Sequence, residues 1–175
     1  QIALAKAEII RNIKDGGSIV LNADDQFYKF HKAIAKKRGI NTHSFSLTKK
    51  DSGIYIDSIK KEKSRYKILI NIKNFKKYFY INFNFENDLK NLLSAISIIS
   101  IFIDIRNLDK NIFYNHEIPK GRGDISKIKL FKKEFYLIDE SYNSNPLSLK
   151  TALKNFDKIK VNGFKKYLIL GDMLE

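Results

Sequence analysis

The 175-residue chain has no cysteine, no tryptophan, two prolines and eight glycines. Without cysteine there is no disulfide framework, no thiolate metal site and no cysteine nucleophile. So few prolines and glycines leave little room for a long flexible linker. The longest apolar run, Leu92 to Ile105, has 14 residues and carries three serines and Asp104; a membrane-spanning helix needs roughly 20. Arginine is scarce too, at five residues against 28 lysines, and acids number 19, which leaves a formal charge of +14. A phosphate-reading surface more often enlists arginine, whose fork grips anions in two places. The lysines are scattered in pairs from Lys36-Lys37 to Lys165-Lys166. The 27 isoleucines, 28 lysines and 16 asparagines all have A/T-rich codons, so base composition alone accounts for the charge. It reads as a solvated basic surface, and a free-standing nucleotide- or nucleic-acid-binding module is the alternative.

What is present is ample apolar material, 43% of the chain, which excludes a disordered segment. Residues 1–14 place Ile2, Ala5, Ile9, Ile10 and Ile13 at near-helical spacing, ended by Gly16-Gly17. Ser18 to Leu21 reads as a buried strand stopped by Asn22-Ala23-Asp24-Asp25, and helical spacing resumes from Gln26 to Arg38, closed by Gly39. This rhythm predicts a parallel α/β sheet. From Gly53 to Phe85 apolar residues alternate (Ile54/Ile56, Ile68/Ile70/Ile72, Phe79/Ile81/Phe83), which predicts a one-sided meander of three antiparallel strands. Asp88 to Ile103 predicts a buried helix. The polar stretch Asn107 to Lys120, with Pro119, is the best boundary. Beyond it Phe135–Asp139, Asn145–Ile159 and Tyr167–Leu170 predict strand, helix and strand. Both ends fall inside apparent elements, so the expectation is a piece of a longer protein.

Few residues point to chemistry by themselves. Asn22 to Asp25 follow a strand, where α/β proteins bind ligands, or they form an Asx-type cap. Asp139-Glu140-Ser141-Tyr142-Asn143-Ser144-Asn145-Pro146 sets two acids at a strand end and hydrogen-bonding groups before a helix. Acids there can take ribose hydroxyls, and a helix start can face phosphate; the alternative is a cap with no ligand. Arg122 stands between Gly121 and Gly123, able to reach a phosphoryl group or merely sitting in a hinge. His31, His43 and His116 have no partners at metal-ligand spacing and are expected at the surface.

Taken together, the motifs come in a telling order: Ala5-Lys6-Ala7-Glu8-Ile9, Leu21-Asn22-Ala23-Asp24-Asp25, Asn91 in Asn-Leu-Leu-Ser-Ala, Gly121-Arg122, Asp139 to Pro146, and Leu170-Gly-Asp-Met-Leu-Glu175. This order resembles the Mur ligase family over nearly the whole chain. The runs Ser141 to Pro146 and Gly171 to Glu175 are most similar to the member that joins D-alanyl-D-alanine to UDP-N-acetylmuramoyl-tripeptide in peptidoglycan synthesis. The resemblance implies an α/β fold. Residues 1–107 would be the second half of a central ATPase domain (parallel α/β plus antiparallel meander), and 108–120 a linker. Residues 121–175 would open a Rossmann-like C-terminal domain with its first β-α-β. It further implies a cytoplasmic, monomeric parent that uses ATP and Mg²⁺ and passes through an acyl phosphate, with no nucleic acid and no membrane span.

By the same resemblance Lys6 matches a lysine that is carbamylated to become a Mg²⁺ ligand, and Asn91 an adenine contact. Arg122 matches an arginine that reaches the γ-phosphate. Asp139 and Glu140 fall at the ribose-contacting acid, and Tyr142, Asn143 and Asn145 line the ATP-facing edge. The sequence also departs from the family pattern. Phe85-Glu86-Asn87-Asp88 stands where the family has Gly-x-His-Asn, and Glu140 replaces an aspartate. No Gly-Lys-Thr/Ser phosphate loop occurs in these residues, so the chain is expected to be inactive alone. A degenerate ligase remnant is the further alternative.

Overall fold

Alternating apolar residues and helical stripes sort into elements largely where the sequence places them. The computed structural model describes residues 2–115, 119–142, 145–160, 163 and 165–172. Its contacts divide it into two units, residues 1–116 and 117–175.

In the first unit α1 (Ile2–Arg11), β1 (Ser18–Asn22), α2 (Tyr28–Lys37) and β2 (Asn41–Ser46) are followed by β3 (Ile54–Glu62), β4 (Arg65–Ile72), β5 (Phe75–Ile81) and α3 (Glu86–Phe102). The strands form one sheet in the order β1-β2-β3-β4-β5. β1, β2 and β3 run parallel, while β3, β4 and β5 form the antiparallel meander. β2 and β3 share only two register pairs, Phe45 with Ile54 and Ser46 with Tyr55. The meander therefore extends the sheet past the end of β2. Gly39 follows α2 at φ +65°, the left-handed turn that an L side chain resists and that lets the chain double back into β2.

Neighbours on a strand point to opposite faces, and β1 uses both. Val20 packs into the main core and Ile19 into a smaller one formed by Ile10, Ala35 and Ile40. Hence α1 and α2 cover one face of the parallel strands and α3 the other. The main core joins Leu89, Leu92, Leu93 and Ile96 of α3 to Ile68, Ile70, Ile72, Phe79 and Ile81 of the meander. Each such side chain, fully buried, stabilises by about 1.5–3 kcal/mol. Ser97, fully buried in α3, is satisfied by donating to the Leu93 carbonyl at 2.7 Å.

Residues 108–114, read from sequence as the start of a linker, pack on this unit. Leu108 and Phe113 lie against the main core, and the Tyr80 amide donates to the Lys110 carbonyl at 2.8 Å. Lys77 Nζ donates to the carbonyls of Arg106 and Leu108, both at 2.7 Å. These bonds capture the segment along the free edge of β5.

The second unit holds β6 (Asp124–Leu130), antiparallel to β7 (Lys133–Asp139), and α4 (Pro146–Lys158). Sequence reading found β7 and α4 but not β6. The expected strand Tyr167–Leu170 joins no sheet: its residues have no regular secondary structure and no ladder partners among the described residues, and Ile169 is 91% exposed. An apolar run becomes a strand only when another strand's amides and carbonyls meet it. β6 and β7 turn through Phe131 and Lys132, at φ 48° and 62°. A two-residue turn of this kind ordinarily takes Asn-Gly, so Phe-Lys hides the hairpin from a sequence reader.

Candidate functional site

At the first strand end the polar run Asn22 to Asp25 works as a structural lock. The Asn22 side chain accepts from the Asp24 amide at 2.9 Å, and Asp25 accepts from the Phe27 amide at 2.7 Å. Asp24 reaches across to β2: it accepts from Ser46 Oγ at 2.5 Å and from the Leu47 amide at 2.7 Å. Lys49 Nζ donates to the Ala23 carbonyl. The motif thus forms two Asx turns and a cross-strand tie rather than a helix cap, since the N-cap of α2 is Phe27, which has no side-chain capping bond.

Lys6 is exposed on α1 and Asn91 is exposed on α3. Neither side chain has a hydrogen bond or ion pair among the described residues, and no contact brings the two together. Where the family has Gly-x-His-Asn, this chain starts α3. Glu86 and Asp88 sit in its first turn, and Glu86 pairs with Lys90 at 2.7 Å. Acids at a helix start complement its positive end, which gives the departure a local structural reason.

The histidines divide. His43 is partly exposed, and burial, then the nearby Lys73 charge, holds its pKa below the ordinary value. His31 is buried, contrary to expectation, at 8% exposure. It packs against Phe30 on α2 and Phe27 just before it, with its Nε2 3.0 Å from the Ala3 carbonyl. The signal that could have found it is its place, one residue after Phe30 and four before Ala35, on the apolar stripe of α2. His116, Asn143, Ser144 and the terminal Met173-Leu174-Glu175 lie outside the described residues.

The second unit gathers the other predicted residues at one end, where the hairpin strands begin and finish. The Gly123 amide donates to the Asp139 carbonyl at 2.6 Å, and the Tyr142 amide to the Gly121 carbonyl at 3.0 Å. The Gly121 amide donates to the Asp124 carboxylate at 2.6 Å. Two strands of backbone thus run side by side, 121–123 against 139–142. Glycine is required at 121: it sits at φ +76°, and an added Cβ would lie 2.9 Å from Tyr142 Cβ. At Gly123 (φ +91°) a Cβ would lie 3.1 Å from Glu140 Oε1. This close approach sets the exposed Arg122 guanidinium over the Tyr142 ring, 4.6 Å from its centre. A cation held on an aromatic face keeps its charge and loses freedom.

Asn145 caps α4. Its side chain accepts from the Ser148 amide, and Ser148 Oγ accepts from the Asn145 amide, both at 2.9 Å. Asp139 accepts from Ser141, whose side chain and then amide hold the Asp139 carboxyl below the ordinary 3.8. A depressed folded value means this link contributes above pH 3.8 and is lost as pH falls through the folded value. A carboxyl-carbon NMR titration is expected to find Asp139 ionised below the ordinary midpoint. Ser141→Ala should raise it; an unchanged midpoint would contradict the assignment.

Among the described residues no group of three or more His, Asp or Glu could hold a metal ion. A carbamylated Lys6 could add one ligand but not a site. Nor is any helix among them long and apolar enough to cross a membrane.

The fold is an α/β sheet with an antiparallel extension, followed by a unit in which Arg122 stacks on Tyr142 next to the strand end that carries Asp139 and Glu140. Residues 1–99 match the Mur ligase middle domain, and the chain belongs to the Mur ligase family. It is 28% identical over 178 residues to the UDP-N-acetylmuramoyl-tripeptide–D-alanyl-D-alanine ligase of Rickettsia prowazekii (strain Madrid E), covering 100% of this chain and 38% of the relative. The chain thus spans little more than a third of that relative's length. In fold it is similar to a crystal structure of MurF from Acinetobacter baumannii (TM-score 0.72, 21% identity, 91% of this chain and 33% of that one). It is also similar to MurF ligase from Thermotoga maritima in complex with ADP (TM-score 0.70, 16% identity, 91% and 35%).

Proposed function

We propose that these residues are part of an ATP-dependent ligase that joins D-alanyl-D-alanine to UDP-N-acetylmuramoyl-tripeptide. They would supply the later half of its ATPase domain (1–107), a linker (108–120) and the opening of its C-terminal domain (121–175). The observation that carries the reading is the presentation of Arg122 over Tyr142, beside Asp139 and Glu140, in a chain of the Mur ligase family.

The chemistry follows from what those groups can do. Transfer of a phosphoryl group from ATP to the substrate carboxylate gives ADP and an acyl phosphate. The amine of D-alanyl-D-alanine adds to the acyl carbon, and the tetrahedral intermediate expels phosphate as the amide forms. Arg122, fixed on its ring, meets the charge that develops on the transferring phosphoryl oxygens, where a preoriented cation contributes most. Glu140, with Asp139 beside it, takes ribose hydroxyls, and Asn145 and Tyr142 shape the edge at the start of α4. Asn91 contacts adenine, and Lys6, carbamylated, serves as a ligand for Mg²⁺. That ion, when bound, neutralises phosphate charge; the remaining ligands and the phosphate loop are contributed by other parts of the enzyme.

The test is a titration of the chain with ATP, followed by backbone amide NMR. Weak binding should shift resonances of residues 121–123 and 139–142, and Glu140→Ala, which removes the proposed ribose contact, should reduce those shifts. The chain alone should show no ligase turnover. Shifts spread evenly over the lysine-rich surface, or turnover by these 175 residues, would overturn the proposal.

A further inference from the structure

Helix α1 carries Lys6, yet its own apolar anchorage is slight: Ala7 and Ile10 are its fully buried described side chains. What fixes it is α2. His31 Nε2 lies 3.0 Å from the Ala3 carbonyl in the first turn of α1. A carbonyl can only accept, so Nε2 carries the hydrogen and donates. At the other end Arg38 donates to the Arg11 carbonyl, and to that of Ile13 at 3.4 Å. His31 in α2 and Arg38, the residue that caps its C-terminus, stand seven residues apart, about two turns and so on one side. One side chain of α2 and one at its C-cap thereby hold backbone carbonyls at both ends of α1, whatever side chains α1 presents.

We infer that His31 is a positioning residue for Lys6, fixing the turn from which that lysine projects. The inference rests on the proposed role of Lys6. Ala3 precedes Lys6 by three residues, just under one turn, so a shift of the held carbonyl moves the root of the lysine with it. Displacements near 1 Å at a reacting group can cost about 100-fold in rate. The burial of His31 between Phe27 and Phe30 fixes the donor itself. Its largely buried ring is thus spent on a backbone contact rather than on a ligand.

The experiment compares His31→Phe, His31→Gln and Lys6→Ala in the complete ligase, reading kcat and KM separately. Phenylalanine keeps the ring packing and removes the donor, while glutamine keeps an amide donor of similar reach. His31→Phe is expected to lower kcat at least tenfold with KM for both peptide substrates within about twofold, and His31→Gln to recover most of it. Wild-type kcat in His31→Phe, or equal losses in both His31 variants, would overturn the inference and mark the residue as packing alone. Full activity in Lys6→Ala would instead overturn the reading of Lys6, whatever the His31 variants do.

Discussion

Replacing Arg122 by alanine in the complete ligase is expected to lower kcat by about 10²–10³-fold, the usual cost of losing one preoriented charge partner in a transition state. In its proposed role Arg122 meets charge that is greatest while the phosphoryl group is in transit, so KM for ATP should change far less. The geometry makes the expectation specific. The guanidinium is held 4.6 Å over the Tyr142 ring, on a backbone that requires glycine at 121. Arg122→Lys should therefore recover only part of the loss, since an ammonium on a flexible stem keeps the charge but not the planar stacking. Gly121→Ala should mimic Arg122→Ala with the arginine still in place. A Cβ 2.9 Å from that of Tyr142 forces the two backbone segments apart. Equal activity of wild type and Arg122→Ala, measured by phosphate release, would remove Arg122 from the mechanism.

Phe79→Ala carries the largest expected effect on stability. Phe79 is fully buried in β5, at the centre of the core between the meander and α3, and meets Phe113 edge-on at 5.2 Å between ring centres. Truncating a buried phenylalanine costs about 3–5 kcal/mol, a large share of the roughly 5–15 kcal/mol that holds a domain folded. Because Phe113 belongs to the segment captured along β5, the same change should release residues 108–114. Urea unfolding should show a lower midpoint, and amide exchange should rise at Tyr80, whose amide bonds Lys110. Leu4→Ala, at a side chain 56% exposed, is the control and should stay within about 0.5 kcal/mol of wild type. A Phe79→Ala protein as stable as that control would show that this core is misassigned.

The first unit was legible because periodicity and burial agree there. β4 buries Ile68, Ile70 and Ile72 at every second residue, the alternation that spells a one-sided strand. The second unit was less so. β6 offers Ile125 and Ile128 three apart and meets β7 through a Phe-Lys turn, so neither its period nor its turn announces a strand. Tyr167 to Leu170 shows the reverse error, strand-like residues without a partner strand among the described residues. Among the site residues, the place of Arg122 beside the acidic strand end was readable as order along the chain, and its stacking on Tyr142 was not, because that depends on two positive-φ glycines. His31 was read as a surface residue because it was judged by metal-ligand spacing and not by its place on the stripe of α2, and its partner is a carbonyl 28 residues away.

The central claim is that these residues form part of a D-alanyl-D-alanine-adding ligase. The most direct test is phosphate release by the complete gene product given ATP, Mg²⁺, UDP-N-acetylmuramoyl-tripeptide and D-alanyl-D-alanine, with each omitted in turn. The account predicts release that needs all four, with one amide bond formed per phosphate and loss of activity in Arg122→Ala. Phosphate release indifferent to D-alanyl-D-alanine, or no amide product from the complete enzyme, would contradict it.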